Sequence, residues 1–115
     1  MSSTTVIDLK KGDPSVEDAL KRLRLEVATL SRIKVKKIKV IHGIGRQGDD
    51  GSLRIVTRSY LNSLAEDDKI KAWCPGEAFG PFEPEGRTMI EKCPSFRQDP
   101  DWAKQNDEIS LLLVR

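Results

Sequence analysis

VIHGIGRQGDDGSLR, residues 40–54, is the stretch on which the fold of this chain turns. The run that leads into it, VKKIKVI at 35–41, is rich in β-branched residues and reads as a strand. The run that leads out places Leu53, Val56, Tyr60, Leu61 and Leu64 at helical spacing, with Ser52 positioned to cap that helix. Between them lie Gly43, Gly45, Gly48 and Gly51, together with His42, Arg46, Asp49 and Asp50. A strand, a glycine loop and a helix in that order make a β-to-α crossing.

Outward from this crossing the pattern repeats. TVIDL at 5–9 reads as a first strand, broken by KKGDP, where Gly12 and Pro14 punctuate the chain. Ser15 and Asp18 form an S-x-x-D helix start. Val16, Ala19, Leu20, Leu23, Val27 and Leu30 then put one apolar stripe on a helix running from about Val16 to Arg32. After AEDDK, the alternating IKAWC at 70–74 reads as a third strand. ISLLLV at 109–114 reads as a buried strand. Residues 75–107 form a long insert in which PGEAFGPFEPEG is turn-rich, RTMIEK fits a short strand and DPDWAKQ fits one helical turn. The order is β-α-β-α-β-(insert)-β. It predicts a single domain over residues 1–115, an α/β (α+β) two-layer sandwich with two main helices packed on one face of a four-stranded sheet.

At 115 residues the chain is long enough to bury a core without disulfides. Cys74 and Cys93 lie far apart and imply no disulfide framework, which suits reduced thiols in the cytoplasm. No apolar run suits a signal peptide or a membrane span. Charge is divided unevenly. Residues 1–60 carry 13 Lys/Arg against 7 Asp/Glu, whereas residues 61–115 carry 7 against 11. The basic half suits a polyanionic partner. Aromatic residues are too sparse, at 5%, for a broad base-stacking platform.

GIGRQG at 43–48 matches the GxGxxG string of dinucleotide sites, but the match fails on context. The next strand ends in WCPG, without the acidic residue that would hold a ribose, and too few strands follow. No Gly-Lys-Ser/Thr closes the loop, so a P-loop is excluded as well. What survives is the physics of the loop: glycines permit close approach of a ligand, and backbone N–H groups at a helix start favour an anion.

Three separated pieces, IDLKKG at 7–12, IHGIG at 41–45 and GSLR at 51–54, occur in the order and positions of the Smr (small MutS-related) domain. The chain resembles that family over most of residues 5–74. The resemblance implies a βαβαββ sandwich with a four-stranded mixed sheet, like the C-terminal domain of bacterial translation initiation factor 3. It also implies nucleic-acid binding and, in several members, endonuclease activity. By position, Asp8 matches the family's aspartate, His42, Gly43 and Gly45 its glycine loop, and Gly51, Leu53 and Arg54 its G-x-L-R. Lys10 stands where the family often has histidine. A lysine near pKa 10.4 exchanges protons poorly at neutral pH but can hold a phosphate or stabilise charge on phosphorus.

The catalytic candidates are therefore Asp8, His42 and Lys10. His42, the sole histidine, reads equally as a general acid or base and as a residue bonded to a nearby backbone carbonyl. Asp8 reads equally as its partner and as a residue bonded to local N–H groups. The nucleic-acid-binding candidates are Lys10, Lys11, His42, Gly43, Gly45, Arg46, Gly51, Arg54 and Arg58. Lys34, Lys36, Lys37 and Lys39 read as the solvated side of a strand or its entry loop. No zinc-type ligand spacing exists, while magnesium at Asp8 with Asp49 or Asp50 stays open. The expectation is a DNA- or RNA-binding Smr-like domain that can act as an endonuclease on structured DNA or RNA, with a non-catalytic nucleic-acid-binding module and a protein-interaction domain as the alternatives.

Overall fold

In the computed structural model, which describes residues 4–43 and 51–115, helix α1 spans Val16–Arg32. Ser15 caps it: its Oγ accepts the Asp18 N–H at 3.1 Å, as the S-x-x-D pattern predicts. At the other end Lys34 takes a left-handed conformation (φ 69°), and the Lys34 and Val35 N–H groups return to the carbonyls of Ser31 and Leu30. That pair of bonds is a Schellman motif, which satisfies carbonyls the helix leaves open. Helix α2, Ser52–Glu66, ends the same way, with Asp68 at φ 62°. Its start differs from expectation. The N-cap is Gly51, at φ 79°, and Ser52 is the first helical residue.

The strands are β1 (Thr5–Asp8), β2 (Lys37–Ile41), β3 (Ile70–Pro75) and β4 (Ile109–Val114). They form one mixed sheet in the order β1-β2-β4-β3. β1 and β2 run parallel, while β4 lies between β2 and β3 and runs antiparallel to both. Every residue of β4 is buried, which the apolar run predicts for a central strand.

Helices α1 and α2 pack on one face of this sheet. Ala19, Leu23 and Val27 of α1 and Leu61 and Leu64 of α2 join Ile7, Ile38, Val40, Leu112 and Val114 in one core. The opposite face has its own core, built by the insert. There Ala78, Phe79, Met89, Ile90 and Phe96 pack on Cys74, Ile109, Leu111 and Leu113. Helix α3, Pro84–Lys92, lies where RTMIEK reads as a short strand, and Pro84 opens it at a position where no N–H is needed. Single 3-10 turns occupy Gly76–Ala78 and Pro94–Gln98, whereas DPDWAKQ forms turns and no helix.

The covered second face also corrects the reading of two lysines. Lys37 and Lys39 alternate with Ile38 and Val40 along β2, so they point away from α1 and α2 and under the insert. Both are buried. Lys37 Nζ donates to Ser95 Oγ at 2.9 Å and lies 5.7 Å from the centre of the Phe96 ring. Lys39 Nζ bridges Asp99 Oδ1 at 2.8 Å and Asp101 Oδ2 at 2.5 Å. Burial works against the charge on Lys39, but the hydrogen bonds it donates to Asp101 and Asp99 outweigh it and hold its pKa above the ordinary value. Burial likewise works against ionised Asp99, and the bond from Lys39 outweighs it, so this carboxyl sits below its ordinary range.

Candidate nucleic-acid interface

β1 and β2 are parallel neighbours, so their C-terminal ends bring Asp8 and His42 to the same edge of the sheet, with Asp8 opposite Ile41. The two side chains turn to different partners. Asp8 Oδ1 accepts the Lys10 N–H at 3.0 Å, closing a short turn. His42 is fully buried. Its Nδ1 lies 2.8 Å from the Gly43 carbonyl, which can only accept, so Nδ1 carries the proton. Its Nε2 lies 2.9 Å from Ser110 Oγ and accepts from that hydroxyl.

The chain of donors continues outward. Arg58 Nε donates to Ser110 Oγ at 2.9 Å, and the same guanidinium forks onto Glu77 Oε2 and Oε1 at 2.8 and 2.7 Å. It also donates to the Ile109 carbonyl at 3.0 Å. Arg58 is thus held by a bidentate carboxylate and the β4 backbone. Burial opposes ionisation of Glu77, but the Arg58 bond outweighs it and keeps the carboxyl below its ordinary range. His42 moves strongly the other way. Burial pushes its pKa down to about 4, the Gly43 carbonyl opposes this, and the nearby charges of Arg58 and Arg54 reinforce it. At neutral pH His42 is an uncharged, fully bonded link between β2 and β4.

The remaining described candidates are Lys10, Lys11, Gly43, Gly51 and Arg54, of which the two glycines are buried. Lys10 and Lys11 are exposed. The Lys10 side chain lies over Gly43, where an added Cβ would come within 2.8 Å of Lys10 Cδ and Nζ. Gly43 has φ 76°, and the His42 and Gly43 N–H groups both reach the Glu108 carbonyl at 3.0 Å. Across the loop, left-handed Gly51 opens α2, and Arg54 stands in its first turn. Gly45, Arg46, Asp49 and Asp50 lie outside the described residues. Among the described residues, no three His, Cys, Asp or Glu side chains converge as a metal site would require.

The site residues named from sequence therefore divide. Lys10 lies against Gly43, Lys11 is exposed beside it in sequence, and Gly51 and Arg54 stand at the start of α2, whereas His42 and Arg58 are tied into the interior. Sequence reading passed over Ser110 and Glu77. A hydroxyl inside the apolar run ISLLLV was the one available signal that β4 holds a polar partner.

No family model, curated protein or solved structure matches the chain significantly. Among the described residues no helix is long and apolar enough to cross a membrane.

Proposed function

We propose that this chain binds the sugar–phosphate backbone of DNA or RNA along the edge that carries Lys10, Lys11, Gly43 and the start of α2. The observation that carries the reading is the seating of Lys10 over Gly43. An exposed ammonium, with no hydrogen-bond or ion-pair partner on its Nζ among the described residues, lies against a buried glycine whose missing side chain makes room for it, so the charge is seated at this edge. Arg54 and the N-terminal end of a 15-residue helix flank the same loop, an arrangement that favours an anion. The Smr-like order of IDLKKG, IHGIG and GSLR supports the same assignment, and the four-stranded mixed sheet is compatible with the initiation-factor-like sandwich that this resemblance implies.

Binding without cleavage is the favoured form. A general base must reach its proton, and His42 is buried, bonded at both ring nitrogens and held neutral to about pH 4. Free Cys74 and Cys93 suit the reducing cytoplasm, where we place the protein.

Fluorescence anisotropy with labelled single-stranded, duplex and branched DNA and RNA tests this reading. Binding should weaken steeply with salt, and Lys10→Ala with Lys11→Ala should lower the log–log salt slope by about 1 per lost phosphate contact. Absence of binding at low salt would sink it and direct attention to protein partners. Magnesium-dependent cleavage abolished by Asp8→Asn would replace the binding module with a nuclease.

A further inference from the structure

The insert carries a second candidate site, remote in sequence from the glycine loop. Pro81, Arg87, Ile90, Glu91, Arg97 and Trp102 line one open groove of about 490 Å³. That volume lies in the range of small-molecule clefts. We propose that this groove takes a single nucleotide unit, with the base against Trp102 and the phosphate on Arg87 and Arg97. The choice of a nucleotide over another aromatic anion rests on the nucleic-acid reading above; the groove itself does not.

The chemistry of the lining argues for a flat, anionic ligand. Trp102 is partly exposed and offers a π surface, while Ile90 and Pro81 supply apolar contact. Two guanidiniums against one carboxylate leave the lining net positive. Arg87 Nη1 donates to the Pro81 carbonyl at 3.0 Å, which steadies its side chain and leaves its other N–H groups available. Arg97 is exposed and has no ion-pair or hydrogen-bond partner among the described residues. Glu91 offers acceptors to the exocyclic amino group of a base.

The groove is also held in shape before any ligand arrives. Phe79 is buried and stands perpendicular to Trp102, with ring centres 5.0 Å apart, and perpendicular to Phe96 at 5.6 Å. The Trp102 N–H donates to the Asp99 carbonyl at 3.0 Å, and the Ala103 N–H to the Phe79 carbonyl at 2.8 Å. Asp99 and Asp101 are in turn pinned by Lys39 of β2. The aromatic wall is therefore anchored to the central sheet, the preorganisation that a stacking site needs.

Trp73 and Trp102 are the two tryptophans, so Trp73→Phe makes Trp102 the sole fluorescent reporter. AMP, adenosine and ribose 5-phosphate would each be titrated into the whole chain, with calorimetry on the unaltered protein as an independent reading of affinity. AMP should quench Trp102 saturably, adenosine should bind more weakly, and ribose 5-phosphate should not quench. Arg97→Ala, at an exposed position, should weaken AMP roughly tenfold while leaving adenosine and the thermal melt unchanged. Failure of AMP to quench, or equal AMP binding in Arg97→Ala, would overturn the proposal. So would tighter binding of the acidic peptide Glu-Glu-Phe than of AMP. Oligonucleotide binding that depends on Lys10 and Lys11, without any AMP response, would remove the groove and leave the backbone reading standing. AMP binding without oligonucleotide binding would support the groove alone.

Discussion

Nε2 of His42 lies 2.9 Å from Oγ of Ser110, so a residue just beyond β2 is hydrogen-bonded to one near the start of β4. Because Arg58 donates to the same oxygen, the serine hydroxyl has one proton to give and one place to give it. Ser110→Ala removes both contacts at once and leaves a buried imidazole nitrogen and a guanidinium N–H without their partner. Chemical denaturation should show a loss of about 2 kcal/mol, within the usual cost of orphaning buried polar groups. In the unaltered protein, nitrogen NMR should find Nε2 unprotonated and Nδ1 protonated at neutral pH; the reverse tautomer would contradict the hydrogen-bond chain.

The same histidine sets a pH dependence. Folded His42 titrates at about 4, against an ordinary value of 6.5. Between those two values the unfolded chain holds a proton that the folded chain does not. Stability is thus full above pH 6.5 and falls as the pH drops towards 4, by on the order of 3 kcal/mol over the whole window. Glu77 and Asp99, whose folded pKa values are depressed, add their own losses only below the ordinary carboxylate range. Urea melts at pH 7.5, 6 and 5 should therefore show a decline that His42→Gln flattens. An unchanged decline in the variant would place its origin elsewhere.

Lys39 should prove one of the most sensitive positions in the chain. Its side chain is 10% exposed and holds Asp99, itself 3% exposed, together with Asp101. Lys39→Ala strands two acids against the sheet and should cost about 3 to 5 kcal/mol, the usual penalty for breaking a buried ion pair. Limited proteolysis should then cut within 76–108 first. The triple variant Lys39→Met, Asp99→Asn, Asp101→Asn removes every charge together and should recover most of the loss. If the single and triple variants unfold alike, the contribution is packing rather than charge.

Lys34 offers a gain. It holds φ 69° at the end of α1, a conformation that costs a residue with a Cβ roughly 1 kcal/mol. Lys34→Gly should raise stability by up to that amount in a thermal melt. Gly76→Ala should do the opposite and lose about 3 kcal/mol or more, because its Cβ would fall 1.9 Å from the Asn106 carbonyl oxygen.

Much of the fold was legible where one physical rule acts over a short range. The apolar stripe and the Ser15 cap give α1 its observed bounds of Val16 and Arg32, and the apolar run ISLLLV gives β4 its own. Legibility fails where the partner is distant. The alternation of KIKVI shows that Lys37 and Lys39 face away from Ile38, but it cannot show that Ser95, Asp99 and Asp101, some 60 residues on, wait on that side. RTMIEK is short enough to suit strand or helix, and Pro84 before it, read as a helix start, was the overlooked signal. At the site, His42 sits at a strand-to-loop junction that suits either proton transfer or a local carbonyl bond. Only the placement of Gly43 and Ser110 decides between them, and Ser110 comes from the far end of the chain.

The position of β4 has a consequence in time. Of the four strands it is the last to be synthesised, yet it occupies the gap between β2 and β3. Until it emerges, β2 and β3 each carry an open edge with nothing between them, and each core lacks the residues that β4 gives it. The sheet can only close in a late, cooperative step, when one apolar strand slots between two waiting partners. A nascent chain of this kind spends its synthesis with unpaired strand edges exposed, the condition in which off-pathway association competes with folding.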